Sequence, residues 1–495
     1  GASNEGIYDA YTSEQRAKLA FDSATYKILG NIHSHLVKGS FGNADLWRTT
    51  AAGVGGYVEG KATIEVGTQT GDGTAGGDGL VYKGSRPTDT NYSSSRNNLA
   101  NAKDFDIAGG GLVIGRDAWT IYIRGESNTV INNAVARRTY GGLFSGVVEG
   151  NTSNTLNGGI VDTLEGSGYE GGRVYGNAQA TVRNGQVDWF LSGGGWNDKK
   201  IVGNVGVTVY DGVINASMGA SYGASSDHTV TGNSNNIVYG GDFSGTPREG
   251  TNGFSGGITN VGSLLGNANL TIDLRNYNRE FKLPSGTSIS GGVPYNGTTN
   301  LGTDDSNTIT LNIYTKPGSD VLNGAAIYGD GARTSSYTKS GKIIMNIQAT
   351  GSSIGNLYAT NYGNAPTTGL LRDVEINLQG AKTINGLSGG NATDSFTNTI
   401  VSKNAQKVVI NIGENVDGTN NYQTEPLNAT GLGVVNFTEL NVTNGIKLMA
   451  NGGNIKNGVS ATAANHSTTY NEFGSIHLSK NAGIGITNTA NLISA

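Results

Sequence analysis

The chain contains no cysteine and is poor in the residues that build a dense globular core. Among its 495 residues there are 7 prolines, 36% hydrophobic side chains and 7% aromatic ones. The absence of cysteine excludes disulfide frameworks and thiolate zinc sites. No proline-rich or charged linker divides the chain. A stacked repeat tolerates such a composition, because each coil needs only a thin apolar stripe.

Charge of either sign is also sparse. Lys and Arg number 33 against 38 Asp and Glu, a net charge of −5. Because no basic stripe is present, nucleic acid is not predicted as a partner. No run of 18 apolar residues occurs, so membrane insertion is not predicted either.

Glycine is abundant, with 80 residues, and it marks a repeat. Copies begin with Gly-Asn at residues 150, 176, 203 and 232, at intervals of 26, 27 and 29 residues. This spacing is typical of a solenoid. The recurring apolar positions, which we expect to point inward, are Leu156, Val182, Val209 and Val238, followed by Val161, Val187, Ile214 and Phe243.

Each copy has the pattern of β-strands. In "VTVYDGVIN" apolar and polar residues tend to alternate, and Asn-Gly, Asp-Gly or Gly-Gly interrupts the runs. A strand of one copy finds its partner in the equivalent strand of the next copy, about 4.8 Å away. The sequence therefore predicts an all-β fold, a parallel β-helix.

A second version of the pattern begins after residue 260. Each strand places one polar residue between apolar ones, and at most of these positions it is asparagine. Two arrangements remain open: an inward ladder of amides bonded coil to coil, or side chains that face solvent at strand ends. The residues are Asp273, Asn312, Asn346, Asn377, Asn411 and Asn441.

The N-terminal segment differs from the rest. "TSEQRAKLAFDSATYKIL", from Thr12, contains good helix formers and a capping pair formed by Thr12 and Gln15. Residues 1–50 are therefore predicted to form a helical cap over the first coil, whose edge would otherwise pair end to end. Residues 51–495 are predicted to form a single elongated parallel β-helix.

Motifs of known enzymes carry little weight in this composition. G-x-S-x-G occurs four times within the repeats, and none of the copies precedes a helix as a nucleophile elbow must. The five histidines have no metal-ligand spacing. Neither pattern predicts a catalytic residue.

Acidic side chains recur at one outward position. Asp162 and Asp188 each follow an inward valine, and Asn215 is their counterpart in the next copy. Stacked carboxylates repel unless a cation lies between them. Both a calcium or sugar site and a solvated polar face remain open. The metal question is thus undecided, and calcium is the one candidate cofactor.

Aromatic residues recur in corresponding glycine-rich loops. Flat rings with polar tips are suited to stacking on sugars, although local packing accounts for them equally well. A second outward column contains Arg183, Tyr210 and Tyr239, where cation–π packing is the simpler interpretation. The candidate ligand-binding residues are Tyr169, Arg173, Trp189, Trp196, Lys199 and Tyr222, together with Asp162 and Asp188.

The coil lengths, the cap and phrases such as "VYGGDFSG" and "GKIIMNIQATGSSIGNLYATNYG" resemble a known family. They are similar to the pectate-lyase-like adhesive regions of Gram-positive surface adhesins, including the serine-rich-repeat type. The resemblance implies a right-handed parallel β-helix displayed on the cell wall. It also implies attachment to host or plant glycans or to other bacteria. Gram-negative autotransporter passenger domains share the same composition.

The function expected from these features is that of a non-enzymatic bacterial adhesin, secreted and held at the cell surface or cell wall. Its expected partner is a glycan or glycoprotein, with self-association between cells as a further expectation. The alternative is a lyase or hydrolase acting on acidic polysaccharide, with Asp162 and Asp188 as the acids and Arg173 or Arg183 as the base. A purely structural stalk is the third interpretation.

Overall fold

The chain forms two units that are built in the same way. One contains residues Gly1–Asn233 and Gly245–Thr251, and the other contains Ser234–Ser244 and Asn252–Ala495. None of the described residues is in a helix. The computed structural model describes residues 20–21, 24–28, 48–50, 57–67, 106–110, 122–132, 135–143, 146–169, 172–196, 198–223, 227–245, 253–283, 286–292, 298–301, 308–329, 342–359, 372–390, 405–423, 425–435, 437–450, 455–456 and 475–486.

The first unit is a stack of short strands. Its strands are β1 Ala20–Phe21, β2 Ala24–Ile28, β3 Arg48–Thr50, β4 Tyr57–Val58, β5 Ala62–Val66, β6 Asp106–Ala108, β7 Tyr122–Ile123, β8 Ser127–Ile131, β9 Val135–Tyr140, β10 Val147–Val148, β11 Thr152–Leu156, β12 Ile160–Glu165, β13 Arg173–Val174, β14 Ala178–Val182, β15 Gln186–Ser192, β16 Lys200–Ile201, β17 Val205–Val209, β18 Val213–Ile214, β19 Ser217–Gly219, β20 Ser221–Gly223 and β21 Thr229–Val230.

These strands form three parallel sheets, and each coil contributes to all three. Sheet 1 has the order β1-β4-β7-β10-β13-β16-β21 and sheet 2 the order β2-β5-β8-β11-β14-β17. Sheet 3 has the order β3-β6-β9-β12-β15, after which β18 and β19 both pair with β15. Thr152 pairs with Ala178, which pairs with Val205. One coil is therefore one sequence repeat, which confirms the solenoid.

The core is a narrow stripe of the repeated apolar residues. Leu156, Val182 and Val209 are in register in sheet 2 and are fully buried. Val161, Val187 and Ile214 are in register in sheet 3 and are also buried. The predicted inward positions of the first three copies are therefore confirmed.

The repeated Gly-Asn pair is a structural device. The side-chain oxygen of Asn177 accepts a hydrogen bond from the backbone N–H of Asn204 at 2.8 Å, and Asn151 does the same for Asn177 at 2.9 Å. At Gly203 a Cβ would lie 2.3 Å from the carbonyl oxygen of Gly176, closer than any real contact. Glycine is needed where the coils approach, and asparagine joins one coil to the next.

The second unit repeats the plan with longer coils. Its strands are β22 Ser234–Val238, β23 Gly253–Ser255, β24 Ile258–Leu264, β25 Ala268–Asp273, β26 Ser288–Ser290, β27 Thr298–Leu301, β28 Ile309–Tyr314, β29 Ala326–Tyr328, β30 Ile343–Gln348, β31 Ser353–Tyr358, β32 Arg372–Gln379, β33 Thr383–Ser388, β34 Ala405–Ile412, β35 Leu427–Val435, β36 Glu439–Val442, β37 Lys447–Ala450, β38 Ile455–Lys456, β39 Ser475–Leu478 and β40 Gly483–Ile486.

Two parallel sheets run through the second unit. One has the order β22-β25-β28-β30-β32-β34-β36-β39. The other has the order β23-β26-β29-β31-β33-β35-β37-β40, with β38 on β35. In addition, β24 pairs with β27. In the first of these sheets Leu270, Leu311 and Met345 are in register and fully buried, so the stripe of apolar residues again forms the core.

The predicted asparagine ladder forms, but it lies on the outer face. The side-chain nitrogen of Asn377 donates to the oxygen of Asn346 at 2.9 Å, and Asn411 donates to Asn377 at 2.7 Å. The ladder residues are half-buried, whereas the inward positions beside them are buried. Its members are Asn312, Asn346, Asn377, Asn411 and Asn441.

Asp273 is not part of this ladder. It pairs with Tyr314 in β28, and the residue in register with Asn312 is Thr271. Its carboxylate instead binds the guanidinium of Arg275, with an Nη2 to Oδ2 distance of 2.6 Å. The comparison of the repeats was two residues out of register at this coil, so the predicted membership of Asp273 was wrong. Of the two arrangements that the sequence left open, the amides bond from coil to coil as in the first but face outward as in the second.

The predicted helical cap is not supported. The described residues of segment 1–50 form β1, β2 and β3, which pair in parallel with β4, β5 and β6. Backbone hydrogen bonds to the adjacent coil override the helix propensity of this segment, as tertiary context commonly does. Residues 1–19, 22–23 and 29–47 of the predicted cap lie outside the described residues.

Candidate ligand-binding face

Three of the predicted aromatic residues occupy equivalent places in successive coils of the first unit. Tyr169 follows β12, Trp196 follows β15, and Tyr222 lies in β20. The backbone N–H of Trp196 donates to Gly168 at 3.0 Å, and that of Tyr222 donates to Gly195 at 3.2 Å. Backbone bonds between coils therefore bring the three loops together, as the sequence predicted.

The rings of these loops and that of Tyr140, which ends β9, form a column that we call the aromatic ladder: Tyr140, Tyr169, Trp196 and Tyr222. The last three rings are stacked, whereas Tyr140 is tilted by 53° against Tyr169. Ring centroids are 5.8 Å apart between Tyr140 and Tyr169, 6.4 Å between Tyr169 and Trp196, and 4.1 Å between Trp196 and Tyr222. Tyr140 is fully buried, whereas the other three are half-buried. The ladder thus presents ring surface to solvent along three coils.

A β-bulge supports the ladder from below. Val161 pairs with Val187 but Thr163 pairs with Phe190, so β15 contains one extra residue. The bulge allows two consecutive residues, Trp189 and Phe190, to contact Trp196 at centroid distances of 5.2 and 5.1 Å. Trp189 is only 4% exposed. In this structure it supports the Trp196 ring instead of presenting a face to solvent.

Cationic side chains lie beside the ladder. The guanidinium carbon of Arg138 is 4.7 Å from the centroid of the Tyr169 ring. Arg173 and Lys200 are in register as the first residues of β13 and β16, a few residues after Tyr169 and Trp196 in the chain. Arg173 and Lys199 are half-buried. The predicted basic residues are therefore on the same coils as the rings.

The two predicted acids lie on sheet 3. Asp162 and Asp188 are half-buried next to the inward Val161 and Val187, as expected for outward positions. Oδ1 of Asp188 accepts hydrogen bonds from Gln186 at 2.7 Å and from Asn215 at 2.9 Å. Within the described ranges, no three His, Cys, Asp or Glu side chains come together as a metal site of that kind would need.

Two buried carboxyl groups, which the sequence analysis missed, lie behind the ladder. Glu165 ends β12 and is 1% exposed, and Asp198 follows Trp196 by two residues and is 0% exposed. The backbone N–H of Gly168 donates to Oδ2 of Asp198 at 3.2 Å. A Cβ at Gly195 would lie 2.4 Å from that same oxygen, so this glycine makes room for the carboxyl group.

Burial controls the protonation of both acids. It raises the pKa of Asp198 from 3.8 to about 7, although Ser167 and the Gly168 amide favour the charged form. Burial, and then repulsion by Asp198, raises the pKa of Glu165 well above its usual range, and Arg138 lowers it by less. Uncharged acids are therefore favoured behind the ladder.

A buried histidine completes this group. The Nδ1 of His228 donates to the backbone carbonyl oxygen of Asp198, and the ring is 0% exposed. Burial lowers the pKa of His228 from 6.5 to about 4. No sequence signal marks these three residues, because the positions in register with Glu165 are Tyr140 and Ser192.

The other aromatic candidates form packing contacts. Arg183 lies over Tyr210 with 5.4 Å between the guanidinium carbon and the ring centroid. In the second unit Tyr328 and Tyr358 stack at 5.2 Å and are buried. Tyr362, a third tyrosine near these two in the sequence, lies outside the described residues. The ladder is therefore the best-formed aromatic surface among the described residues.

Comparisons with known proteins add no relative to this picture. No family model matches the chain, and neither the curated proteins nor the solved structures yield a match. Among the described residues, none forms a helix long and apolar enough to cross a membrane. The site is therefore interpreted from its own geometry.

Proposed function

We propose that the chain is the binding region of a bacterial surface adhesin and that it attaches to carbohydrate or glycoprotein through the aromatic ladder. The observation that carries this proposal is the alignment of three half-buried rings on neighbouring coils. Sugar rings stack on such faces, because aromatic residues combine apolar surface with polar tips. Secretion and display on the cell surface or cell wall are part of the proposal.

The finer fold assignment belongs to the same proposal. A right-handed, pectate-lyase-like winding is supported by the resemblance of the coils to adhesive regions with that fold. It is also supported by the general right-handed preference of connections between parallel strands. A rigid solenoid suits an adhesin, since backbone hydrogen bonds between coils hold the ligand-contacting loops in place.

Charged groups beside the ladder are expected to contribute selectivity. Arg138 covers the face of Tyr169 at 4.7 Å, and Arg173 is in register with Lys200. Hydrogen bonds from charged donors to sugar hydroxyls or carboxylates are stronger than neutral ones. We expect Arg173 and Lys199, together with Asp162 and Asp188, to modulate affinity while the rings provide most of it.

The test is a glycan array with host, plant and bacterial carbohydrates, read for the full chain and three variants. Trp196→Ala should weaken binding by about 1 to 3 kcal/mol, the usual range for an aromatic anchor. Trp196→Phe keeps an aromatic ring within the ladder and should lose less. Tyr210→Ala is the matched control, since Tyr210 is an exposed aromatic residue outside the ladder.

Trp196 also contributes to stability, because its ring contacts Tyr169, Trp189, Phe190 and Tyr222. Binding must therefore be measured well below the melting temperature of each variant. Equal binding by the wild type and a folded Trp196→Ala variant would exclude the ladder as the ligand site. A parallel assay for unsaturated product from polygalacturonate tests the lyase alternative directly.

A further inference from the structure

We propose that Glu165 and Asp198 form a proton-binding site behind the aromatic ladder, and that loss of its proton loosens the ladder and weakens ligand binding. The second half of this inference rests on the proposed function. The first half concerns the protein alone and can be tested without any ligand. The ligand of this site is the proton, and the site would make the surface pH-sensitive.

The geometry that carries the inference is a group of buried oxygen atoms without hydrogen-bond partners. Within the part of the chain that the structure describes, neither carboxyl oxygen of Glu165 nor Oδ1 of Asp198 forms a hydrogen bond of ordinary geometry. The buried hydroxyl groups of Thr163 and Ser167 form none either, although they lie close enough to Glu165 and Asp198 to favour the charged forms in part. An ionised carboxylate without a partner is very costly to bury, so the group takes up a proton instead.

The charges around the two acids provide only partial compensation. Arg138 from β9 favours ionisation of Glu165, whereas Asp198 opposes it. Asp198 is faced by the Ser167 hydroxyl and the Gly168 amide. His228 contacts the backbone of Asp198, but burial holds its pKa near 4, so at neutral pH it supplies no positive charge. Asp227, its neighbour, adds a further negative group.

Covalent and hydrogen-bonded connections join this site to the ladder. Asp198 is two residues from Trp196, and its Oδ2 accepts the Gly168 N–H at 3.2 Å. The carbonyl oxygen of that same Gly168 accepts the N–H of Trp196 at 3.0 Å. Gly168 directly precedes Tyr169. An unsolvated charge on the buried Asp198 carboxylate would therefore act on the loops that carry two ladder rings.

The direction of the response follows from the raised pKa values. Below about pH 7 the Asp198 carboxyl is protonated, and the ladder loops are packed as described. As the pH rises through this value, Asp198 ionises beside the other buried acid. Water must then enter to solvate the charge, and the packing of Trp196 against Trp189 and Phe190 weakens.

The experiment follows the ladder directly by near-ultraviolet circular dichroism and tryptophan fluorescence from pH 5 to pH 9. The wild type should show a transition with a midpoint near pH 7 that Asp198→Asn abolishes and Glu165→Gln shifts. Asp211→Asn is the matched control, because Asn184 already forms the equivalent turn bond to Gly185 at 2.8 Å. Asp211→Asn should leave the transition unchanged.

The second readout is binding to the glycan array at pH 5.5 and pH 8.5. Binding should be roughly tenfold weaker at the higher pH, within the usual range of coupling between sites, and Asp198→Asn should remove the difference. If the spectroscopic transition occurs and no glycan binds at any pH, the proton site stands and the proposed function fails. If the spectroscopic transition occurs but glycan binding is equally strong at pH 5.5 and pH 8.5, the proposed effect of the proton site on ligand binding is overturned.

Three outcomes would overturn the proton site itself. One is the absence of any transition between pH 5 and pH 9. Another is a transition that persists unchanged in a folded Asp198→Asn variant. The third is a rise in melting temperature with 1 to 10 mM calcium at pH 8, on the order of several degrees, that Asp198→Asn abolishes. That result would show that the oxygens hold a metal ion instead of a proton.

Discussion

Val209 is an inward residue of the solenoid, and such a position must be apolar. It is fully buried in β17 and pairs with Val182 of the preceding coil. The core stripe is only a few side chains wide, so an introduced charge has no route to solvent. The alternating pattern of the sequence was sufficient to identify this position, because side chains in a strand point to opposite faces in turn.

Val209→Asp should lower the free energy of unfolding by several kcal/mol, the cost of burying an uncompensated charge. The measurement is urea unfolding followed by far-ultraviolet circular dichroism. Its control is Tyr210→Asp, which changes the adjacent outward residue, 44% exposed, and removes its cation–π contact with Arg183. The control should cost less than about 1 kcal/mol. Comparable losses in both variants would mean that the two faces are assigned incorrectly.

Gly195 occupies a position where there is no room for a larger side chain. A Cβ there would lie 2.0 Å from the carbonyl oxygen of Gly168 and 2.4 Å from Oδ2 of Asp198. The sequence "GGGW" indicated only a glycine-rich loop, because nothing in it shows that a carboxyl group is buried against the backbone. Asp198 was missed for the same reason: two residues beyond an aromatic loop residue, an acid is normally expected to face solvent.

Gly195→Ala should therefore displace the Asp198 carboxyl and cost about 1 to 3 kcal/mol, in the range of overpacking in a tight core. Gly286→Ala is a useful comparison, since no atom lies within 4 Å of a Cβ at that position but its φ is +84°. The comparison isolates backbone strain from crowding. Melting temperatures together with tryptophan fluorescence give the measurement. A Gly195→Ala protein with wild-type stability and fluorescence would contradict the buried position of Asp198.

At the scale of the element, the strand register could be predicted where the same sequence pattern occurs once in every coil. The Gly-Asn spacing gave the register of β11, β14 and β17, since each coil is one repeat. The bulge in β15 could not be predicted, because one inserted residue shifts the register without changing composition. That bulge determines that both Trp189 and Phe190 support Trp196.

The asparagine ladder shows the same limit. The alternation of β28, β30 and β32 identified the ladder residues, but whether an amide points inward depends on which of the two faces the neighbouring coils bury. Self-paired amides are satisfied on either face. In contrast, β1 to β3 were missed, because a helix-forming composition was overridden by pairing with the adjacent coil.

Asn377→Asp should be more destabilising at pH 7 than at pH 4. Asn377 donates to Asn346 at 2.9 Å and to Oε1 of Glu375 at 3.1 Å. A carboxylate cannot donate either bond and repels Glu375, whereas its protonated form restores one donor. Each lost hydrogen bond costs about 1 kcal/mol. The check is thermal unfolding at both pH values, with Asn377→Ala as the control. Its loss should vary less with pH, because alanine removes the bond to Glu375 but adds no charge beside it.

At the scale of the whole molecule, buried titratable groups make stability depend on pH in a particular way. Asp198 binds a proton more tightly in the folded chain, with a pKa of about 7 against 3.8, so its contribution to stability is lost as the pH rises from about 4 to 7. Glu165 acts in the same direction over a range that begins near pH 4.5. His228 acts in the opposite direction, because its folded pKa is about 4 against 6.5.

The opposing contributions cancel in part between pH 4.5 and pH 6.5. A proton that is bound in the folded state but not in the unfolded state, or the reverse, changes the free energy of unfolding by about 1.4 kcal/mol per pH unit. In the wild type, the gain from His228 offsets the loss from Asp198, which leaves a decline due to Glu165 of at most about 1.4 kcal/mol per unit. His228→Asn retains a donor near the Asp198 carbonyl but removes the titration, so its stability should fall about twice as steeply.

Urea unfolding of the wild type and His228→Asn at pH 4.5, 5.5 and 6.5 measures the two slopes. His228→Asn combined with Asp198→Asn should return the slope to the wild-type value, because the two cancelling groups are then both absent. Parallel curves for the wild type and His228→Asn would show that His228 binds its proton equally well in the folded and unfolded chain. It could not then be the buried, neutral partner of the Asp198 backbone.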